Sequence, residues 1–202
     1  VFTEAGVDWS LDAKEAAPLR TVKEKIFKTD LPVWGSCNGM QLAALVLGGT
    51  VRSSLNGLEV KFSRGTRKTV ADKSHPVLHG RAEVFAVLCI HRDEVDCLKI
   101  GTVDLAENDH SSIQSLAYRA EDIGFWRVQY HPEYRANAIA KSLRKVGRKF
   151  CAVLTLINDL KVWDSDIEVA ERLGTTCDAL QNGECTRELA NWLIHVKNRI
   201  SS

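Results

Sequence analysis

Cys37 sits in Gly35-Ser36-Cys37-Asn38-Gly39, a G-x-C-x-G whose residue types suit a sulfur nucleophile. Glycines two positions to either side permit a tight strand-to-helix turn, because a side chain there would collide with the neighbouring strand and helix. The thiol then stands at the start of a helix, whose dipole and free N–H groups favour thiolate. This composition yields only ~0.02 chance occurrences of G-x-C-x-G in the whole chain. The bland meaning of the motif is a buried cysteine in a tight turn. A thiol nucleophile needs a base, and Gln129-Tyr130-His131-Pro132-Glu133 supplies one at the end of an apolar run. Strand ends are where α/β sheets place their chemistry. Pro132 stiffens the link, and Glu133 can reach Nδ1 of His131 so that Nε2 faces the sulfur. Cys37, His131 and Glu133 thus form a candidate triad.

Other reactive residues weigh less. His91 is followed by Arg92-Asp93-Glu94, which reads as a solvated turn and not as a second base. His75 and His79 are four apart, but Pro76 between them spoils the helix that would put both rings on one face, so no zinc site is expected. The six cysteines, with no CxxC among them, read as reduced thiols of a cytoplasmic protein.

The elements that must position the triad follow from periodicity. Leu19, Val22, Ile26 and Phe27 after Pro18 predict an amphipathic helix. Residues 31–36 predict a buried strand, and Met40 to Leu47, stopped by Gly48-Gly49, a helix. Residues 50–131 change to short strand-like runs at 58–62, 67–71, 84–90, 103–106, 113–118 and 125–130, separated by turn residues. Arg127 is out of character in a strand expected to lie inside. From Ala136 the period is helical again, with Ile139, Leu143, Val146 and Phe150 on one stripe, and further helices are expected near 167–173 and 187–200.

Together these residues resemble the class I glutamine amidotransferases, particularly the stand-alone GMP-synthase-like ones. The family's G-x-C-x-G-x-Q appears as Gly35 to Gln41 and its base motif as His131-Pro132-Glu133. Ile90-His91-Arg92-Asp93-Glu94-Val95 looks like its H-x-D-x-V segment, and Thr3 to Ser10 looks like the loop carrying an oxyanion-hole glycine. The tail Glu188-Leu189-Ala190-Asn191-Trp192-Leu193 is similar as well. The resemblance implies hydrolysis of the glutamine side-chain amide: Cys37 attacks, His131 shuttles the proton and Glu133 orients His131. It implies an oxyanion hole from N–H groups of Asn38 and of the Ala5-Gly6 turn, with Gly6 preferred, and a substrate site at Gln41 and the backbone near Ile90 and His91. It also implies a flavodoxin-like α/β fold with a mostly parallel central sheet, a catalytic core over 1–135, and a C-terminal helical extension over 136–202 packed on the same domain. Family members begin with a strand, a helix and a strand ahead of the glycine loop. This chain starts inside or just before that loop, so a first βαβ piece of roughly 30 residues or more is expected to be lacking.

Bulk properties narrow the partners. Twenty-seven Lys plus Arg against 26 Asp plus Glu leave a formal charge of +1, so no overall field draws the chain to nucleic acid or an anionic membrane. No apolar run approaches the ~20 residues that span a bilayer. Lys141, Arg144, Lys145, Arg148 and Lys149 share one helical face, which reads as solvated surface with nucleic acid as its other meaning. No metal or organic cofactor is implied, and without a P-loop any synthetase activity belongs to a separate ammonia-accepting chain. Association with a second copy is left open. Two other functions compete: a γ-glutamyl peptide or γ-glutamyl amine hydrolase using the same triad, and a catalytically silent binding or regulatory module.

Overall fold

A computed structural model describes the chain apart from residues 3–9, 30, 71–73, 121–122, 147–150, 181–182 and 202. In chain order its elements are α1 (Ala17–Phe27), β1 (Val33–Ser36), α2 (Asn38–Val46), β2 (Thr50–Ser53), β3 (Glu59–Lys68), β4 (Val84–His91), β5 (Asp93–Cys97), β6 (Thr102–Glu107), β7 (Ser115–Ala120), β8 (Ile123–Val128), α3 (Ala136–Val146), α4 (Cys151–Val162), α5 (Ile167–Arg172) and α6 (Arg187–Ile200). Pro18 falls in the first turn of α1, where its missing N–H costs nothing. Gly48, at φ 91°, ends the segment after α2 in the left-handed region that glycine tolerates.

The main sheet runs β1-β8-β7-β6-β3-β4, and β2 pairs with β5 in a small second sheet. Among the described residues only β1 and β8 pair as parallel strands, joined by a one-residue parallel bridge between Phe2 and Gly35. The β3–β4, β3–β6, β6–β7 and β7–β8 pairs are antiparallel. The expectation of a mostly parallel sheet is therefore corrected to a mixed one. β6, β7 and β8 follow one another through short connections, which can link only antiparallel neighbours, whereas β1 reaches β8 across a long connection. The runs at 58–62 and 67–71 are not two strands: Glu59–Lys68 is one, with an irregularity between Ser63 and Thr66 that shifts its register against β4 by one residue.

Strand alternation divides the core. On β4, Val87 and Cys89 join Trp34, Leu105, Trp126, Val128 and Trp192 of α6, while Leu88 on the opposite face joins Phe62 and Ile139, Leu143, Ile157 and Leu160 of α3 and α4. At the β1 end, Phe27, Val33, Ala43 and Phe125 bring α1 and α2 onto the sheet. Each fully buried side chain of this kind contributes roughly 1.5–3 kcal/mol. The core thus clamps β1 and β8, the two strands that carry the triad motifs. Of the basic face on α3, Lys141 and Arg144 are exposed, while Arg148, Lys149 and the stripe residue Phe150 lie outside the described residues.

Arg127 is fully buried, and its Nη1 donates to the carbonyls of Val33 and Trp126. Its aliphatic stem lies against Gly35, where a Cβ would stand 2.8 Å from Arg127 Cδ. Burial lowers its pKa to about 9. The arginine is thus part of the packing beneath the nucleophile turn.

Candidate active site

β1 ends at Ser36 and α2 begins at Asn38, so Cys37 alone makes the turn. Its φ of 48° and ψ of −112° put it in the sparsely populated positive-φ region, the one non-glycine residue to do so among those described. Such a conformation costs on the order of 1–3 kcal/mol and persists only where neighbours over-determine it. They do: Cys37 N donates to Val128 O at 2.9 Å, and Cys37 O accepts from Met40 N and Gln41 N at 2.8 and 3.1 Å. The flanking glycines are demanded by contact. A Cβ at Gly39 would lie 2.3 Å from Phe2 O, and one at Gly35 2.8 Å from the Gly39 carbonyl carbon.

The candidate base, His131, follows β8. His131 Nδ1 lies 3.0 Å from Glu133 Oε1, and the same oxygen accepts from Ser36 Oγ at 2.7 Å. The Tyr134 ring stacks on the imidazole at 5.0 Å between centroids. Nε2 makes no other hydrogen bond and is left for the sulfur, which lies close enough to stabilise the protonated ring. Burial pulls the His131 pKa down, but hydrogen bonds and charge interactions with Cys37 and Glu133 outweigh it and raise the pKa to about 10. A raised histidine pKa stabilises the fold fully below the unfolded value of about 6.5, and that contribution is lost as pH rises toward the folded value. An NMR titration is therefore expected to show His131 protonated through neutral pH. Cys37→Ala should move the transition downward by about one unit or more. A neutral His131 ring at pH 7 in the unaltered protein would contradict this account.

The remaining expected site residues fall around this centre unevenly. Asn38 opens α2, and its Oδ1 lies 3.8 Å from Cys37 Sγ. Ala5 and Gly6, the other half of the expected oxyanion hole, lie outside the described residues. Ile90 O lies 3.7 Å from Sγ. Gln41 is buried one helical turn beyond the nucleophile, and its Nε2 donates to Asp93 O at 2.6 Å, with Gln129 Oε1 at 3.4 Å. His91 is buried too, with Nε2 at 2.7 Å from Glu59 Oε2 and Nδ1 at 3.2 Å from Asp93 O. Its ring is thus committed internally, and the main-chain atom that meets the sulfur belongs to the preceding residue, Ile90.

The reading of Arg92-Asp93-Glu94 as a solvated turn is corrected for the two acids. Asp93 and Glu94 begin β5 and are 6% and 5% exposed, because partners await them. Asp93 accepts from Arg92 and Ser53, and Glu94 from Arg52 and Ser111. The Arg92 hydrogen bond, foremost, holds the Asp93 pKa below its ordinary value against burial.

Sequence reasoning missed Ser36, Tyr134 and Glu59. Ser36 is marked only by standing next to the nucleophile, since its contact with Glu133 spans 97 residues. Glu59 carries no local signal at all. A carboxylate oxygen of Glu59, Cys89 Sγ and a His91 ring nitrogen lie within 4.8 Å of one another. The Glu59–His91 hydrogen bond, with further donors from Asn108 and Gln114, already engages that carboxylate, so the cluster is a hydrogen-bonded network.

Comparison with known proteins places this geometry. The family described as "Glutamine amidotransferase class-I" matches residues 12–147. The gamma-glutamyl-L-1-hydroxyisopropylamide hydrolase of a Pseudomonas species is 37% identical over 141 residues, 66% of this chain and 48% of that protein. The glutamine-hydrolyzing GMP synthase of Azoarcus sp. (strain BH72) is 33% identical over 154 residues, 73% of this chain and 28% of that protein. The chain therefore spans about half, or less, of the length of these relatives. Among solved structures, a glutamine amidotransferase of Thermotoga maritima superposes with a TM-score of 0.65 at 18% identity, covering 96% of this chain and 76% of that one. One from Methylobacillus flagellatus gives 0.62 at 17%, covering 98% and 74%. The fold is accordingly the flavodoxin-like α/β fold of those enzymes, with the mixed sheet described above. With the profile spanning most of the chain and the elbow and His-Pro-Glu segment inside it, this chain belongs to the class I glutamine amidotransferase family.

Proposed function

We propose that the chain hydrolyses γ-glutamyl amides, with the side-chain amide of glutamine as the simplest substrate, through Cys37, His131 and Glu133. Cys37 Sγ attacks the amide carbonyl carbon, and the carbonyl electron pair moves onto oxygen. His131 Nε2–H gives its proton to the leaving nitrogen as the C–N bond breaks, leaving a γ-glutamyl thioester. Water then attacks the thioester, its proton passes to His131 Nε2, and the C–S bond breaks to release glutamate and restore the sulfur. Glu133 holds Nδ1 throughout, and Ser36 steadies Glu133. The N–H groups of Asn38 and Gly6 are assigned to the oxyanion, and Gln41 with the backbone at Ile90 and His91 to the glutamyl end. Residues 136–202 act as a helical extension of the catalytic core.

The observation that carries this reading is the strained Cys37 elbow beside a His131 whose pKa is raised to about 10. The Pseudomonas relative, named for a γ-glutamyl amide, favours substituted amides alongside glutamine. The GMP synthase relatives favour delivery of ammonia to a separate synthetase chain. Assay of the purified chain on L-glutamine and on γ-glutamyl alkylamides separates these. Faster turnover of the alkylamides assigns an amide hydrolase, and glutamine turnover stimulated by an added synthetase assigns an amidotransferase subunit. Labelling by diazo-oxo-norleucine at Cys37 alone is expected, and labelling at Cys89 instead would overturn the assignment.

A further inference from the structure

Glu59 is 1% exposed, yet its carboxylate is surrounded by donors. Oε2 accepts from His91 Nε2 at 2.7 Å and Gln114 Nε2 at 3.1 Å, and Oε1 accepts from Asn108 Nδ2 at 3.1 Å, with Lys61 Nζ at 3.5 Å. This meeting is built by register, since Glu59 on β3 stands directly opposite His91 on β4. Burying an ionised carboxylate is costly unless hydrogen bonds and opposite charge compensate it. Burial pushes the Glu59 pKa up, but the hydrogen bond and charge of His91, with His110 and Lys61, outweigh it and keep it below its ordinary value. The carboxylate is thus held ionised, far from any solvent role.

The consequence lies on the other side of the imidazole. His91 Nδ1 faces Asp93 O at 3.2 Å while Nε2 faces Glu59, so the ring is held between a buried carboxylate and a main-chain carbonyl. Asp93 O also receives Gln41 Nε2 at 2.6 Å, and the residue before His91 turns its carbonyl to Cys37 Sγ at 3.7 Å. The chain of contacts therefore runs from Glu59 through His91 to the backbone that borders the nucleophile and to the glutamine of the G-x-C-x-G-x-Q motif.

We propose that Glu59 is a positioning residue for the hydrolysis, holding the His91 ring between its carboxylate and Asp93 O so that the backbone from Ile90 to Asp93 stays fixed against Cys37 and Gln41. This role rests on the reading that the chain is a γ-glutamyl amide hydrolase. It assigns to Glu59 the shape of the substrate cradle and no part in bond breaking. Loss of the carboxylate should therefore weaken substrate binding more than it slows the chemical step.

The test compares the unaltered chain with Glu59→Gln and Glu59→Asp on L-glutamine and a γ-glutamyl alkylamide. Glu59→Gln is expected to raise KM about tenfold or more while kcat falls by less than about threefold, with Glu59→Asp recovering most of the loss. Diazo-oxo-norleucine should label Cys37 more slowly in Glu59→Gln, while iodoacetamide, which needs no glutamyl cradle, should react at the unaltered rate. Equal slowing with both reagents, or a fall in kcat at constant KM, would overturn the positioning role. Should Glu59→Gln fail to fold, 15N-histidine NMR of the unaltered protein at neutral pH decides. A His91 Nε2–H signal hydrogen-bonded to Glu59, identified by its loss in His91→Asn, is expected, and its absence would overturn the proposal. An unaltered chain inert on every γ-glutamyl amide would strike the hydrolase reading itself, whereas an active one with an indifferent Glu59→Gln would strike only the role of Glu59.

Discussion

Cys37→Ala is expected to abolish hydrolysis of glutamine and γ-glutamyl amides, a loss in kcat on the order of 10⁶-fold by analogy with nucleophile deletions in other triads. Cys89 is fully buried, and its pKa is pushed well above the thiol value first by burial and then by Glu59. His131→Asn should cost about three orders of magnitude or more, because the side chain that replaces the imidazole cannot carry the proton from sulfur to the leaving nitrogen. Both variants together should lose no more than the worse of the two, since the groups act as a unit. Turnover by purified Cys37→Ala within tenfold of the unaltered chain, about 1.4 kcal/mol of barrier, would remove the sulfur from the mechanism.

The second large effect concerns stability. Glu188 of α6 is 0% exposed, and its two oxygens take a bidentate pair from Arg81 at 2.7 and 2.9 Å. Tyr130, the residue before the base, donates its hydroxyl to the same carboxylate at 3.0 Å. Arg81 keeps two further hydrogen bonds, both to Glu184: to Oε2 at 2.9 Å, which is partly exposed, and to the carbonyl oxygen at 2.6 Å. Glu188→Ala would leave a buried guanidinium underpaired and a buried hydroxyl without its acceptor. Breaking one side of such a pair costs about 3–5 kcal/mol, or a drop in Tm of roughly 6–20 °C for a domain of this size. Thermal unfolding followed by circular dichroism measures it, and a shift under about 2 °C would mean the pair is not structural. Because Glu188 ties α6 to Tyr130, hydrolysis should weaken before the chain unfolds.

How much of this was readable beforehand depends on whether the cause was local. The elbow was readable because its requirement is local: two glycines, a cysteine and an apolar run on each side describe one turn. The same holds for α1 behind Pro18, for α2 ending near Gly48, and for the His131-Pro132-Glu133 spacing that lets one carboxylate reach one imidazole. α4 and the β2–β5 pair were not foreseen. β2 and β5 are short strands of mixed polarity whose acids are buried only because Arg52, Ser53 and Ser111 arrive from elsewhere.

The sheet's pairing belongs to the same class of unknowns. A buried strand looks alike whether its neighbour runs parallel or antiparallel, and the mixed order emerges only when short turns and one long connection are combined. Residue types and short spacings thus singled out Cys37 and His131 as the candidate nucleophile and base and pointed to the class I glutamine amidotransferase family. Register and long-range packing settled that Ser36 supports Glu133, that Arg127 lies under the elbow, and that Glu59 faces His91. The division has a physical origin, because periodicity, turn chemistry and strain are properties of a few consecutive residues. The partner of a buried charge is chosen by a fold that brings together residues tens of positions apart, and no short window of sequence contains that choice.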